Sequence, residues 1–287
     1  MRRMAALLLL MVICVSACGA LCEDAPVYLA LGDSITTGYG LKEGEKGFAE
    51  IVAEANGYTL INRAVNGNTA KGILQQMEDP LVLADVEKAG LITITCGGND
   101  LMALLYDYTA QIYNASLPEN ERIQPGEILG ILSGGADSRY QKLMEAAQIA
   151  LNGDEEMGVT PFLQSFDVQL ATTDFLMDIG AILFSIKAKR PDASIIVATQ
   201  YNPYRFFDGD YQGVNDAMEA GAQVLSGSIQ AYAKILGYQV AEVYAAFSAS
   251  EENLCNADMA SMNLDFHPNA MGHERIAACV QAVLDGQ

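Results

Sequence analysis

The sequence predicts an α/β domain of three layers, with helices on both faces of a central five-stranded parallel sheet. Two observations predict it. Five short apolar or β-branched runs recur along the chain, four of them nearly continuous, as strands covered on both faces should be. Longer amphipathic segments separate the runs, and strand–helix alternation on this scale joins parallel strands by right-handed crossovers.

Taken in order, the first 25 residues form a leader and short tether outside the fold, and residues 26–287 form one domain. Arg2 and Arg3 precede the apolar stretch "MAALLLLMVICV" and the small residues "SAC", the pattern of a secretory signal too short for a membrane span. Val15-Ser16-Ala17-Cys18 resembles the lipobox of bacterial lipoproteins, which makes Cys18 the expected lipidated residue; ordinary cleavage after Ala17 is the alternative. Strands are expected at Val27–Leu31, Thr59–Ala64, Leu91–Cys96, Ser194–Thr199 and Gln239–Val243. Helices are expected at Lys46–Asn56, Thr69–Lys88, Arg139–Leu151, Pro161–Lys189, Val214–Leu236 and Asn269–Leu284, each from apolar positions at helical spacing. Roughly 90 residues separate Asp100 from Pro191, far beyond an ordinary crossover, so about 101–190 is read as a helical insertion.

Composition excludes several classes of partner. Sixteen basic residues face 36 acidic ones, and loss of the two leader arginines takes the exported part to a formal −22. Such a surface repels phosphate backbones and anionic headgroups, so nucleic acid is excluded and membrane contact is expected through a lipid anchor alone. Cys22, Cys96, Cys255 and Cys279 remain after the leader, with no dense disulfide framework or metal-type spacing. Cys96 is expected in the core, and Asn114-Ala115-Ser116, a glycosylation acceptor by pattern, carries little weight in a bacterial export context.

The unusual polar residues fall after the strands. Gly32-Asp33-Ser34 follows the first, Asn66-Gly67-Asn68 the second, and Gly97-Gly98-Asn99-Asp100 the third. Open parallel sheets bind ligands beyond the carboxyl ends of their strands, so three glycine-rich segments converge on one rim. Near the C-terminus "LDFHPNAMGHERIA" sets His267 just before a helix that Pro268 and Asn269 can start. Of the two histidines, His267 is the loop residue suited to a base near neutral pH, whereas His273 falls on the last helix in a solvated or packing role.

These blocks, "LGDSITTGYG", "NRAVNGNTA", "TCGGNDL" and "HPNAMGH", resemble in order and spacing those of the SGNH/GDSL hydrolase family of GDSL-like lipases and acylhydrolases. The resemblance implies a flavodoxin-like α/β/α fold and a cofactor-free ester hydrolase. Ser34 is then the nucleophile, His267 the general base and acid, and the N–H groups of Ser34 and Gly67 with the Asn99 amide the oxyanion hole. One position departs: the family's aspartate three residues before the histidine is Leu264 here. Asp265, two before, is the tentative triad acid, with a backbone carbonyl or Asp258 as alternatives. The Gly-x-Ser-x-Gly elbow of α/β-hydrolases is absent. The expected protein is a monomer acting outside the cytoplasm on a small-molecule, lipid or carbohydrate ester. A catalytically silent binding lipoprotein on the same fold is the competing reading.

"DGDYQGVNDAME" fits much of a calcium loop, with Asp208, Asp210 and Glu219 as weak candidate ligands, although an acidic loop that leads into and caps the following helix is the better account of it.

Overall fold

Tyr28, Leu29, Ala30 and Leu31 are all buried because β1 (Val27–Leu31) runs through the middle of the sheet. The computed structural model describes residues 25–286 except 135, 136 and 262; the leader, with Cys18 and Cys22, lies outside the described residues. β2 (Thr59–Asn62) and β3 (Ala89–Ile94) flank β1, followed by β4 (Ser194–Ala198) and β5 (Gln239–Ala241). The order β2-β1-β3-β4-β5 is parallel throughout, with Tyr28 opposite both Leu60 and Leu91.

Alternate side chains of β1 enter two different cores. Tyr28 and Ala30 pack with α2 (Phe48–Asn56), α10 (Val243–Ser248) and α11 (Ala270–Asp285) on one face. Leu29 and Leu31 pack on the other with α3 (Ala70–Gln76), α4 (Pro80–Lys88), α8 (Phe166–Lys189) and α9 (Gln212–Leu236). The Tyr28 hydroxyl is satisfied within the first core, 2.7 Å from Thr93 Oγ1. His273 on α11 is also buried; its Nδ1 accepts from Phe48 N–H (3.2 Å). Burial lowers its pKa to about 4, and the imidazole is a neutral packing residue.

Several elements differ from the sequence reading. The helix expected over Thr69–Lys88 is two, because Asp79 caps a new start through Leu81 N–H (2.8 Å) and Pro80 takes the first helical position. Strands two, four and five end sooner than expected; after β5, Val243 already opens α10. β3 ends at Ile94, and Cys96, though buried, sits on the loop beyond it.

The insertion is shorter than residues 101–190. Its last part is α8 itself, which buries Phe175, Ile179, Ile182 and Ile186 against the sheet as the true crossover helix. What projects beyond the sheet is the far end of α5 (Gly98–Asn114), α6 (Ile128–Gly134) and α7 (Tyr140–Asn152). Tyr113, Ile123, Ile128, Ile131 and Leu143 give it a small core of its own. Asn114 is structural here, donating to the Ile123 carbonyl and accepting from its N–H. Cys96, Cys255 and Cys279 are free thiols.

Candidate active site

β1 stops where Gly32 brings the chain over β3. Its φ is +147°, and a Cβ there would lie 2.3 Å from Thr95 Oγ1, so only glycine allows this approach. Asp33 then caps α1 (Ser34–Thr37), accepting from Ile35 N–H (3.0 Å) and the Thr95 hydroxyl (2.8 Å). This cap sets Ser34 on the first turn, 6 % exposed, with its hydroxyl at the sheet rim.

The imidazole comes from the far end of the chain. His267 Nε2 lies 2.9 Å from Ser34 Oγ, and its Nδ1 lies 2.5 Å from Asp265 Oδ1. The same Asp265 oxygen accepts from His267 main-chain N–H (3.1 Å), while its Oδ2 accepts from Asn256 Nδ2 (3.1 Å). A carboxylate two residues before the histidine thus reaches the ring, although Leu264 stands three before it. Asp258, the other acid considered, caps its own turn by accepting from Ser261 and Ala260 N–H groups.

The surroundings fix the ring. The hydroxyls of Tyr201 and Tyr204, on the loop after β4, donate to the carbonyls of Phe266 (3.1 Å) and Leu264 (2.9 Å). Phe266 and Tyr39 pack on the imidazole at ring-centre distances of 4.4 and 4.6 Å. Tyr39, Tyr201, Tyr204 and Phe266, with Asn256, escaped sequence reasoning because nothing local marks them.

Gly67 and Asn99 line the same open space as Ser34. Asn99 spends one amide hydrogen on the Asn68 carbonyl (2.9 Å) and keeps the other. Among the described residues, neither Ser34 N–H nor Gly67 N–H has a hydrogen-bond partner. Neighbouring Asp100 accepts from Ala70 N–H at 3.2 Å and ties the block after β3 to α3. Serine, imidazole, carboxylate and three unspent donors are the set that acyl transfer requires.

The calcium loop is not assembled. The chain is already helical from Gln212, Glu219 lies seven residues into α9, and its carboxylate is taken by Tyr244, Asn202 and Gln223. Asp210 falls within the 3₁₀ turn Gly209–Tyr211. Among the described residues no group of three or more His, Cys, Asp or Glu side chains could hold a metal.

Asp33 carries a pH signature. Burial pushes its pKa from 3.8 up to about 6, with the Asp100 charge adding to the rise. The folded chain thus holds this proton to higher pH than the unfolded one. The stability it contributes is complete below 3.8 and is lost as pH rises through 6, about 3 kcal/mol in all. Asparagine keeps the acceptor toward Ile35 and Thr95 without titrating. In urea unfolding, the difference between Asp33→Asn and wild type is expected to move toward the variant by ~3 kcal/mol between pH 3.5 and 7. A constant offset from the new amide leaves that slope intact; a flat difference would show that Asp33 titrates as in water.

Comparison with known proteins agrees with this architecture. YpmR of Bacillus subtilis is 23% identical over 264 residues, covering 88% of this chain and 78% of that protein. The spore germination lipase LipC of Bacillus licheniformis is 38% identical over 87 residues, 28% of this chain and 41% of its own. The crystal structure of phospholipase A1 from Streptomyces albidoflavus superimposes with a TM-score of 0.57 at 20% identity, covering 90% of this chain and 99% of that one. The extracellular lipase of Streptomyces rimosus gives 0.55 at 18% identity, with 90% and 99% covered. Residues 30–275, from β1 into α11, match the model of the GDSL-like Lipase/Acylhydrolase family, and with an ester-hydrolase architecture built on them the chain belongs to that family.

Proposed function

We propose that this hydrolase is a serine esterase in which Ser34, His267 and Asp265 form the triad, and that it acts outside the cytoplasm, anchored through Cys18 when the leader is processed as a lipoprotein. The observation that carries the reading is the unbroken chain of contacts from Asp265 through His267 to Ser34 Oγ, at 2.5 and 2.9 Å.

The chemistry follows from the geometry. His267 Nε2 takes the Ser34 proton as Oγ bonds to the ester carbon, and Asp265 stabilises the imidazolium and holds its tautomer. The carbonyl oxygen, now negative, faces the Ser34 and Gly67 N–H groups and the free Asn99 amide hydrogen; each such donor is worth about 3 kcal/mol of barrier. The ester C–O bond breaks, the alcohol leaves with the proton from His267, and water repeats the sequence to release the acid.

A fluorophosphonate probe tests this reading against the silent-binder alternative. The native protein is expected to be labelled at Ser34, located by peptide mapping, and labelling should be blocked by prior denaturation. A folded protein that takes no label would favour the binder.

A further inference from the structure

Ser34 stands between two spaces of opposite character. On one side a partly enclosed cavity with about 90 Å³ of internal space runs between α5, α7 and α9. Its walls are apolar, among them Leu105, Leu151, Phe162, Met218 and Leu225. On the other side a wider, more open space is bordered by Tyr39, Asn66, Asn263, Asp265 and Leu129. Among the described residues neither lining includes a lysine or arginine.

We propose that the substrate is the ester of one unbranched acyl chain with an uncharged polyol. The acyl chain lies in the partly enclosed cavity and the alcohol in the open space. The proposal rests on the reading of Ser34 as nucleophile and adds what Ser34 acts on. Close-packed domains carry few voids larger than a water, so an apolar cavity of this size beside a reactive group is a binding site. The cavity exists because α9 turns Ala217, Gly221 and Ala222 toward it, where larger side chains would fill the space. At Gly221 a Cβ would already stand 2.9 Å from Leu101.

An acetyl group would reach only the start of this cavity, whereas each methylene of a longer chain gains by leaving water until the space is full. The second chain of a diacyl lipid would have to share the wider, more open space with the alcohol, where Asn66, Asn263 and Asp265 interrupt the apolar surface of Leu129, Leu264 and Phe266. A phosphate on the alcohol would meet that carboxylate and a chain of formal charge −20, without the cations that usually pair with it. Transfer of the acyl group to Ser34 and then to water yields the free fatty acid and the polyol.

The full exported chain, assayed on p-nitrophenyl esters from acetate to dodecanoate, is expected to gain three- to fourfold in kcat/KM per methylene beyond butyrate until the cavity is full. Ala217→Phe should move the optimum to shorter chains and lower the octanoate-to-butyrate ratio at least tenfold. Leu151→Ala, on the facing wall, should move it to longer chains. A monoacylglycerol should be cleaved at least tenfold faster than the same molecule bearing a glycerol phosphate, both below micelle formation. A series that peaks at acetate, or an optimum that neither variant moves, overturns the acyl assignment. Equal or faster cleavage of the phosphate ester overturns the uncharged alcohol. Full activity in Ser34→Ala would instead defeat the nucleophile reading, whatever the chain-length profile.

Discussion

Ser34→Ala is expected to lower kcat toward an unactivated ester by about 10⁶-fold while leaving the fold intact. The size follows from what the hydroxyl does. It supplies the atom that bonds to the acyl carbon, and without it His267 has no proton to accept and no covalent intermediate forms. What survives is the contribution of the oxyanion donors and of substrate binding, which in serine hydrolases leaves about 10³–10⁴ over water. The hydroxyl's hydrogen bond is to His267 Nε2, and the serine otherwise enters the fold through its backbone on α1. Loss of Oγ should therefore cost about 1 kcal/mol or less of stability. Steady-state hydrolysis together with urea unfolding of the same preparation checks both halves. A variant that keeps a tenth of wild-type turnover would show that the reaction does not pass through Ser34.

The second large effect is expected at Asp265→Asn, a loss of about 10⁴ in kcat. Asn256 Nδ2 donates both to Asp265 Oδ2 and to the Gly40 carbonyl, so the orientation of that amide is fixed. An asparagine at 265 meets donors on both sides, Asn256 Nδ2 at one atom and the His267 main-chain N–H at the other, so its NH2 opposes a donor in either orientation. With the NH2 toward the ring the proton sits on Nε2, aimed at Ser34, where it cannot accept; with the oxygen toward the ring the imidazolium loses the carboxylate charge that stabilises it. The pocket is tight: a Cβ at Gly40, whose φ is +89°, would lie 2.7 Å from Asn256 Nδ2 and 3.3 Å from Asp265 Oδ2. Little room remains for another arrangement. If Asp265→Asn turns over at close to the wild-type rate while Ser34→Ala is dead, the machinery is a dyad and the carboxylate is ornamental.

How much of this was legible in the sequence depended on how far each cause reaches along the chain. The strands were read to within a few residues because both of their faces are covered and their runs are continuous. The break at Asp79-Pro80 was also written locally, as an Asx cap before proline, and was passed over for the longer apolar periodicity across it. α8 was assigned to the insertion because periodicity says that a helix has an apolar face, not which surface receives it. At the site, Ser34, Gly67, Asn99 and His267 each lie in a short block whose glycines or proline carry the information. Asn256 meets Gly40 across 216 positions, and Tyr201 and Tyr204 meet the histidine loop across 65 and 60. An ordinary asparagine and two ordinary tyrosines announce nothing at such separations. Asp265 is the intermediate case: its type was visible, but only the loop's shape shows that it reaches the ring.

The segment that bears Asp265 and His267 is clasped at its base, Asn256 N–H to the His267 carbonyl at 2.8 Å and Asn269 N–H to the Leu254 carbonyl at 3.0 Å. Carboxylate and imidazole thus ride on one hairpin-like arm, whereas Ser34, Gly67 and Asn99 sit on the segments that follow β1, β2 and β3. The contact from Nε2 to Oγ crosses the seam between the two, beside Asn256 to the Gly40 carbonyl and Tyr201 and Tyr204 to the Phe266 and Leu264 carbonyls. Displacing the arm by about an ångström would silence the chemistry without unfolding anything. On the proposed mechanism, activity depends on registration between two separately held stretches of the chain.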